Sequence, residues 1–255
     1  MKSIERLILT RPPGWLGWAR RIGYARVAFM VLVLVVANPP LTRAIAGADP
    51  VEDVQRVRQA TTATTVGSVP ASLQAVGEYG EHVYDAAKLR NWSKTAVNLK
   101  RLKAAMRQMR SDLRSAPEFP RLGTAVTALE NAVRARDRQS AMLQANNVTI
   151  IAADMAAPFH PTVPIAVVRL DYLGRELEIW AEARDAAKLQ TTATDLGRTW
   201  ESVNQAVEDR GAVALSKEFG DLVARVRSAR SPAEFSQLAS RVLEAVDRLE
   251  SVFKK

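Results

Sequence analysis

Apolar residues recur at alternating steps of three and four from residue 69 onwards, which is the spacing of one face of an amphipathic α-helix. The first stripe consists of Val69, Leu73, Val76, Gly80, Val83 and Ala87. A second stripe follows the N-cap Asn91 and consists of Trp92, Leu99, Leu102, Met106, Met109 and Leu113. Two further stripes run over 122–133 and, behind the N-cap Asp137, over 141–155. Because Leu, Val and Ala dominate and Gly is sparse, the sequence predicts an all-α antiparallel helical bundle.

The same pattern of apolar stripes and helix caps is repeated 94 residues further along the chain. The first stripe is matched by Val163, Val167, Leu170, Gly174, Leu177 and Ala181. The N-cap Asn91 is matched by Asp185, and residues 231–234 combine an N-cap serine, a first-turn proline and a capping-box glutamate. We therefore predict two similar four-helix units, over 68–157 and 162–253, with a proline-rich hinge between them.

The first 48 residues have the features of an export signal. They contain seven Lys or Arg residues against one acid, an unbroken apolar run at 27–37, and a small-residue series ending at Ala48. We expect residues 1–48 to be a cleaved signal peptide, which directs the protein to a bacterial periplasm. The alternative is an uncleaved anchor at 27–37 that holds the protein at the inner membrane, facing the periplasm. That run is short, since a membrane span needs about 20 residues. Residues 49–67 are predicted to form a short helix and a Thr-rich linker.

Charge and cysteine content narrow the classes of function. The whole chain has a net charge of +9, but residues 1–48 contribute +6 of it and leave +3 on residues 49–255. The basic character belongs mainly to the targeting segment, so we expect no nucleic-acid partner. The chain has no cysteine, which excludes disulfides, thiolate metal sites, iron–sulfur clusters and attachment of lipid to cysteine.

Catalytic motifs are missing from the sequence. It has no glycine-rich phosphate loop, no G-x-S-x-G elbow and no H-E-x-x-H helix. The Glu-x-x-His pair of di-iron bundles also fails, because Tyr79 stands three residues before His82. We therefore expect no catalytic residues, and a protein that binds or scaffolds a partner instead of an enzyme.

The second predicted helix is strongly basic over residues 91–114. Between Ala86 and Pro117 the chain has nine basic residues and one acid. Four of the basic residues follow helical spacing and form the predicted contact surface: Lys103, Arg107, Arg110 and Arg114. Such a face attracts an anionic membrane surface, a cell-wall polymer or an acidic protein. The leading hypothesis is an exported periplasmic binding or scaffold protein, of unspecified oligomeric state, that uses this face.

The two histidines of the chain support a second hypothesis. His82 shares one edge of the first helix with Glu78 and Asp85, and His160 lies in the hinge. If the fold brings the hinge close to the first helix, the two imidazoles and the thioether of Met155 would supply ligands for copper, zinc or a haem. The alternative function is therefore a periplasmic metal- or haem-binding bundle, whereas the leading hypothesis needs no cofactor.

Overall fold

Eight α-helices and one short 3-10 helix make up the regular structure of residues 68–254, which are the residues that the computed structural model describes, apart from the side chain of Asp112. No strand occurs among them, so the predicted all-α class is confirmed. The predicted signal or anchor at 1–48 and the predicted helix and linker at 49–67 lie outside the described residues. In the described part, none of the helices combines the length and the apolar character that crossing a membrane requires.

The helices form two runs of four. The first run is α1 (Ala71–Lys88), α2 (Trp92–Leu113), α3 (Phe119–Ala135) and α4 (Arg138–Ala156). The second is α5 (Ile165–Ala183), α6 (Ala186–Asp209), α7 (Val213–Ser228) and α8 (Pro232–Phe253). The 3-10 helix Ala157–Phe159 follows α4, at the position where the prolines predict a hinge. Each helix of the second run begins 94 residues after its counterpart in the first.

Side-chain caps fix where four of these eight helices begin. The carboxamide or carboxylate oxygens of Asn91, Asp137 and Asp185 each accept a hydrogen bond from the backbone N–H three residues later, at 3.0 to 3.1 Å. Ser231 and Glu234 form a complete capping box at the start of α8. Each cap satisfies a backbone donor that the first turn leaves without an intrahelical partner. All four predicted caps are therefore confirmed.

Each run of helices has its own hydrophobic core. In the first run α1 packs between α2 and α4, and α3 contacts α2 and α4. In the second, α5 packs between α6 and α8, and α7 contacts both of these helices. The stripes predicted from the sequence supply both cores, including Leu102, Met109 and Leu129 in the first and Leu170, Leu177 and Val246 in the second. One residue of α5, Ile179, belongs to the first core.

Two glycines allow the closest helix approaches. A Cβ atom added to Gly80 of α1 would lie 2.8 Å from the Oγ1 atom of Thr149 in α4. A Cβ atom added to Gly174 of α5 would lie 2.8 Å from a terminal carbon of Leu243 in α8. Both distances are shorter than van der Waals contact, so a larger residue at either position would push the helices apart or displace the neighbouring side chain.

The two runs meet through α4 and α5, and the described residues belong to one compact unit. Polar side chains connect the runs. Asp154 of α4 accepts a hydrogen bond from Arg169 of α5 at 2.6 Å, and Arg138 forms an ion pair with Glu182. The amide of Asn146, fully buried in α4, donates to the backbone carbonyl of Tyr172 at 3.0 Å. The junction between the runs is therefore more polar than either core.

Candidate binding surfaces

Three arginines at the C-terminal end of α2 line one open surface cavity. Arg107, Arg110 and Arg114 are exposed, and together with Ser111 and Ser115 they surround a volume of about 720 Å³. Their spacing of three and four residues puts the guanidinium groups on one side of the helix. The opposite side of α2 packs into the first core through the stripe that was predicted to be buried. We call this surface the arginine cavity.

Lys103 belongs to the same basic face but has a different environment. Its ammonium Nζ lies 2.6 Å from a carboxylate oxygen of Glu130 in α3. This hydrogen bond and the positive charge of Lys103 hold the pKa of Glu130 below its ordinary value. By contrast, none of the side chains described within 68–254 forms an ion pair with Arg107, Arg110 or Arg114. Lys103 is therefore paired within the fold, whereas the three arginines lie exposed around the cavity.

The arginine cavity is suited chemically to oxyanions. A guanidinium presents a planar set of donors that matches a carboxylate or phosphate in a bidentate arrangement. Three guanidinium groups around one cavity can share a multivalent anion or contact successive groups of an anionic surface. Such contacts are exposed and screened by salt, so they give a binding strength that depends on ionic strength.

The residues predicted as metal ligands are not brought together. His82 is exposed, with its ring 6.0 Å from that of Tyr79, and His160 is exposed after the 3-10 helix. Met155 is buried in the first core, with 3% of its surface accessible. No cluster of three or more His, Cys, Asp or Glu side chains suited to a metal ion occurs in the described part of the chain.

The register of α1 against α4 explains the separation of the two histidines. Gly77 lies opposite Ala152 and Gly80 opposite Thr149, so the helices run antiparallel. His82 is therefore level with the middle of α4. The rest of α4, at about 1.5 Å per residue, puts roughly 14 Å of helix between that level and the hinge that carries His160.

A second cavity, which sequence analysis did not predict, lies between the two runs of helices. It has a volume of about 660 Å³, and we call it the inter-bundle cleft. Its walls come from α1, α4, the linker after the 3-10 helix, α5 and α8. Apolar side chains on both sides include Val69, Leu73, Val163, Ile165 and Val168, and carboxylates at the rim include Glu78, Glu81 and Glu250.

A polar network adjoins the cleft where α1 faces α5. The Nε atom of Arg175 lies 2.8 Å from a carboxylate oxygen of Asp171, and its Nη2 atom lies 3.8 Å from Glu81. The guanidinium stands over the ring of Tyr84, 5.0 Å from the ring centre. The carboxylate of Glu178 accepts from the hydroxyl of Tyr84 at 2.8 Å and from Lys88 at 2.7 Å. These contacts tie α1 to α5 across the junction.

The two carboxyl groups nearest Arg175 have raised pKa values. Burial between the helices raises the pKa of Glu81 to about 7, although the positive charge of Arg175 opposes the shift. Burial likewise raises the pKa of Asp171 to about 6, again against the effect of Arg175. Glu81 still has 44% of its side-chain surface accessible, because it faces the cleft. Glu81 is therefore a carboxyl group with a raised pKa at the edge of an apolar cavity.

The sequence contained only a weak signal for this cleft. The edge of α1 that carries Glu78, His82 and Asp85 was recognisable as polar beside an apolar stripe. Nothing in the local pattern indicates that Arg175, which lies 94 residues after Glu81, packs against that edge. Comparison with known proteins adds no relative, since no family model, curated protein or solved structure matches the chain.

Proposed function

We propose that this protein is a non-enzymatic helical-bundle binding or scaffold protein of the bacterial periplasm, and that the arginine cavity is its contact surface for an anionic partner. The observation that carries the proposal is the group of three exposed guanidiniums around one cavity, without ion-pair partners among the described side chains. Lys103 contributes less than the sequence suggested, because it is engaged with Glu130.

The partner is defined by its chemistry, which is a surface or polymer that presents phosphate or carboxylate groups. An anionic membrane surface, a cell-wall polymer and an acidic protein all meet this description. Because the arginine cavity lies at one end of α2, a flat or extended partner can reach it without disturbing either hydrophobic core. Electrostatic attraction of this kind raises the rate of association and weakens with added salt.

The test is binding of the purified protein to three anionic probes. These are vesicles of phosphatidylglycerol with neutral vesicles as reference, isolated cell-wall polymer, and an acidic peptide. The parent protein should bind at least one of these probes at low salt, and the double variant Arg107→Glu/Arg110→Glu should abolish that binding. The matched control is Lys100→Glu/Arg101→Glu, which changes the charge of α2 equally at exposed positions outside the cavity. Equal loss of binding in both double variants would contradict the proposed site.

The proposed location depends on residues 1–48 and has a separate test. We propose that they act as an export signal that is cleaved off. In the alternative, the signal is not cleaved and residues 27–37 anchor the protein in the inner membrane. N-terminal sequencing of the protein recovered from a bacterial periplasm distinguishes the two. A new N-terminus close to Asp49 supports cleavage, and an intact N-terminus in the membrane fraction supports the anchor.

We also propose that the two four-helix runs arose by internal duplication. Helix starts spaced by 94 residues support this proposal, as do the paired caps Asn91 and Asp185. So do the left-handed turn residues Arg90 and Arg184, with φ values of 54° and 56°. The test is an experimental structure in which α1–α4 and α5–α8 are superposed. Helix axes that do not coincide at this offset would contradict a duplication.

A further inference from the structure

The inter-bundle cleft is lined by apolar side chains at the margins of the two cores. Val69, Val163, Ile165 and Val168 line it and are only half-buried, and Leu73 forms part of its floor. Small residues widen the wall on the side of α4, where Ala152, Ala153 and Ala156 stand instead of larger side chains. The volume of about 660 Å³ lies within the range of small-molecule sites in proteins, roughly 300 to 1,000 Å³.

The charged groups of the cleft determine what kind of molecule suits it. Glu78 and Glu81 come from neighbouring turns of α1, and Glu250 approaches from α8. The single cation of the lining, Lys254, already binds Glu250 at 2.6 Å. With all groups ionised, the lining therefore carries an excess of negative charge, which favours a cation over an anion.

Glu81 is the carboxylate best placed to hold that cation. Its nearest positive atom, Nη2 of Arg175, is 3.8 Å away, which is beyond hydrogen-bonding distance. Arg175 instead directs its Nε atom to Asp171 at 2.8 Å. No described side chain donates a hydrogen bond to Glu81, so its oxygens remain available on the side of the cleft. An ammonium group placed there would make a charge-assisted hydrogen bond beside apolar walls.

We propose that the inter-bundle cleft binds a small amphipathic amine, with the ammonium group at Glu81 and the apolar part against Val69, Val163 and Val168. An apolar tail removes the half-buried valines from water, and this burial supplies most of the binding free energy. The ammonium group supplies the selectivity. An anionic head group would be repelled by the carboxylates, and a neutral head group would give them no charged partner. This site is independent of the arginine cavity, which lies on α2.

The experiment is calorimetric titration with three probes of equal chain length: octylamine, octan-1-ol and octanoate. The protein is expressed from its full sequence and used in the form in which the host exports it, at pH 8. Octylamine should bind at one site per chain, about tenfold more tightly than octanol, because a hydrogen bond to a charged group is worth about that factor. Octanoate should bind more weakly than octanol.

Two variants locate the site, and a third serves as the control. Glu81→Gln should weaken octylamine binding about tenfold and leave octanol binding unchanged, since it removes the charge and keeps the shape. Ala153→Phe should weaken both probes by filling the cleft. Glu201→Gln, an exposed carboxylate of α6 outside the cleft, should change neither. Thermal unfolding of each variant verifies that it is folded.

Several results would overturn the proposal. One is the absence of saturable octylamine binding, and another is equal affinity for all three probes. Octylamine binding that both Glu81→Gln and Ala153→Phe leave intact would place the amine elsewhere. Binding of a lysine-rich peptide in place of octylamine would assign the cleft to a protein partner. None of these results bears on the arginine cavity, which the vesicle, polymer and peptide probes test separately.

Discussion

Tyr84 in α1 and Glu178 in α5 stand 94 positions apart in the sequence, and the tyrosine hydroxyl donates a 2.8 Å hydrogen bond to the carboxylate. The same separation relates Glu81 to Arg175, whose nearest charged atoms lie 3.8 Å apart. Both contacts join positions that correspond under the proposed 94-residue offset, and they tie the same stretch of α1 to α5 at the junction of the two runs.

We expect Tyr84→Phe to destabilise the protein by about 1 to 2 kcal/mol, because it removes a buried donor from Glu178 while the ring keeps its packing. Tyr84 has 2% of its surface accessible, so water cannot replace the hydroxyl easily. Urea unfolding followed by circular dichroism measures the change. Tyr79→Phe is the control, since the partly buried Tyr79 has no hydrogen bond from its hydroxyl to the described residues. Equal losses in the two variants would show that the Tyr84–Glu178 bond contributes nothing specific.

Gly80→Ala should destabilise the first run of helices even though alanine favours helix formation. The added Cβ atom would lie 2.8 Å from the Thr149 hydroxyl oxygen, which is itself held by a hydrogen bond to the carbonyl of Ala145. Overpacking of this kind costs about 1 to 3 kcal/mol and outweighs a helix-propensity gain of about 1 kcal/mol.

Gly123→Ala is the matched control for Gly80→Ala. Gly123 lies inside α3, and its added Cβ atom would meet only the terminal carbon of Met106, at an ordinary distance of 3.9 Å. We expect this variant to gain up to about 1 kcal/mol from helix propensity alone. Thermal unfolding compares the two, and a gain in stability at both positions would contradict the close approach of α1 to α4.

The stability of the protein should decrease as the pH rises through the range in which Glu81 ionises. The raised pKa means that folded Glu81 retains its proton at a pH at which the unfolded chain has lost it. The stability from this group is complete below about pH 4.5 and is lost as the pH approaches 7. The charged groups whose fields act on Glu81 are Arg175 and Asp171 of α5, Glu250 of α8 and Asp85 of α1.

Glu81→Gln isolates this contribution to the pH dependence. The variant cannot ionise, so its stability relative to the parent should increase as the pH rises from 4.5 to 8. Urea unfolding at several pH values measures the difference. Asp171 contributes in the same direction at lower pH, because its pKa is raised to about 6, and this effect remains in the variant. A constant difference between the two proteins across the range would refute the assignment to Glu81.

Ser231→Ala should destabilise α8 by about 1 kcal/mol through loss of the capping box. In the parent, the Ser231 hydroxyl oxygen accepts from the backbone N–H of Glu234 at 3.3 Å. The Glu234 carboxylate accepts from the backbone N–H of Ser231 at 3.2 Å. Ser228→Ala is the control, because that hydroxyl contacts only the carbonyl of Arg225 within its own helix. Chemical denaturation of both variants compares them, and equal stabilities would show that the cap has no energetic role.

The sequence by itself determined the helices and the residues that form their cores. Caps at Asn91, Asp137 and Asp185 act on a backbone N–H only three residues away. The apolar stripes repeat within a few residues, so the buried face of each helix can be derived from the chain without knowledge of its neighbours. The common side of Arg107, Arg110 and Arg114 follows from helical spacing in the same way.

The tertiary structure decided which polar residues meet. Lys103 matches its neighbours in spacing, yet it alone of the four predicted contact residues lies beside Glu130, 27 residues further on. His82 and His160 are separated by the register of α1 against α4, which the sequence does not specify. The cleft requires helices from both ends of the described chain, α1 and α8. Helix caps and apolar stripes depend on interactions over three or four residues, whereas ion pairs and cavities depend on how whole helices pack. The polar edge of a single helix carries no information about which helix it will face.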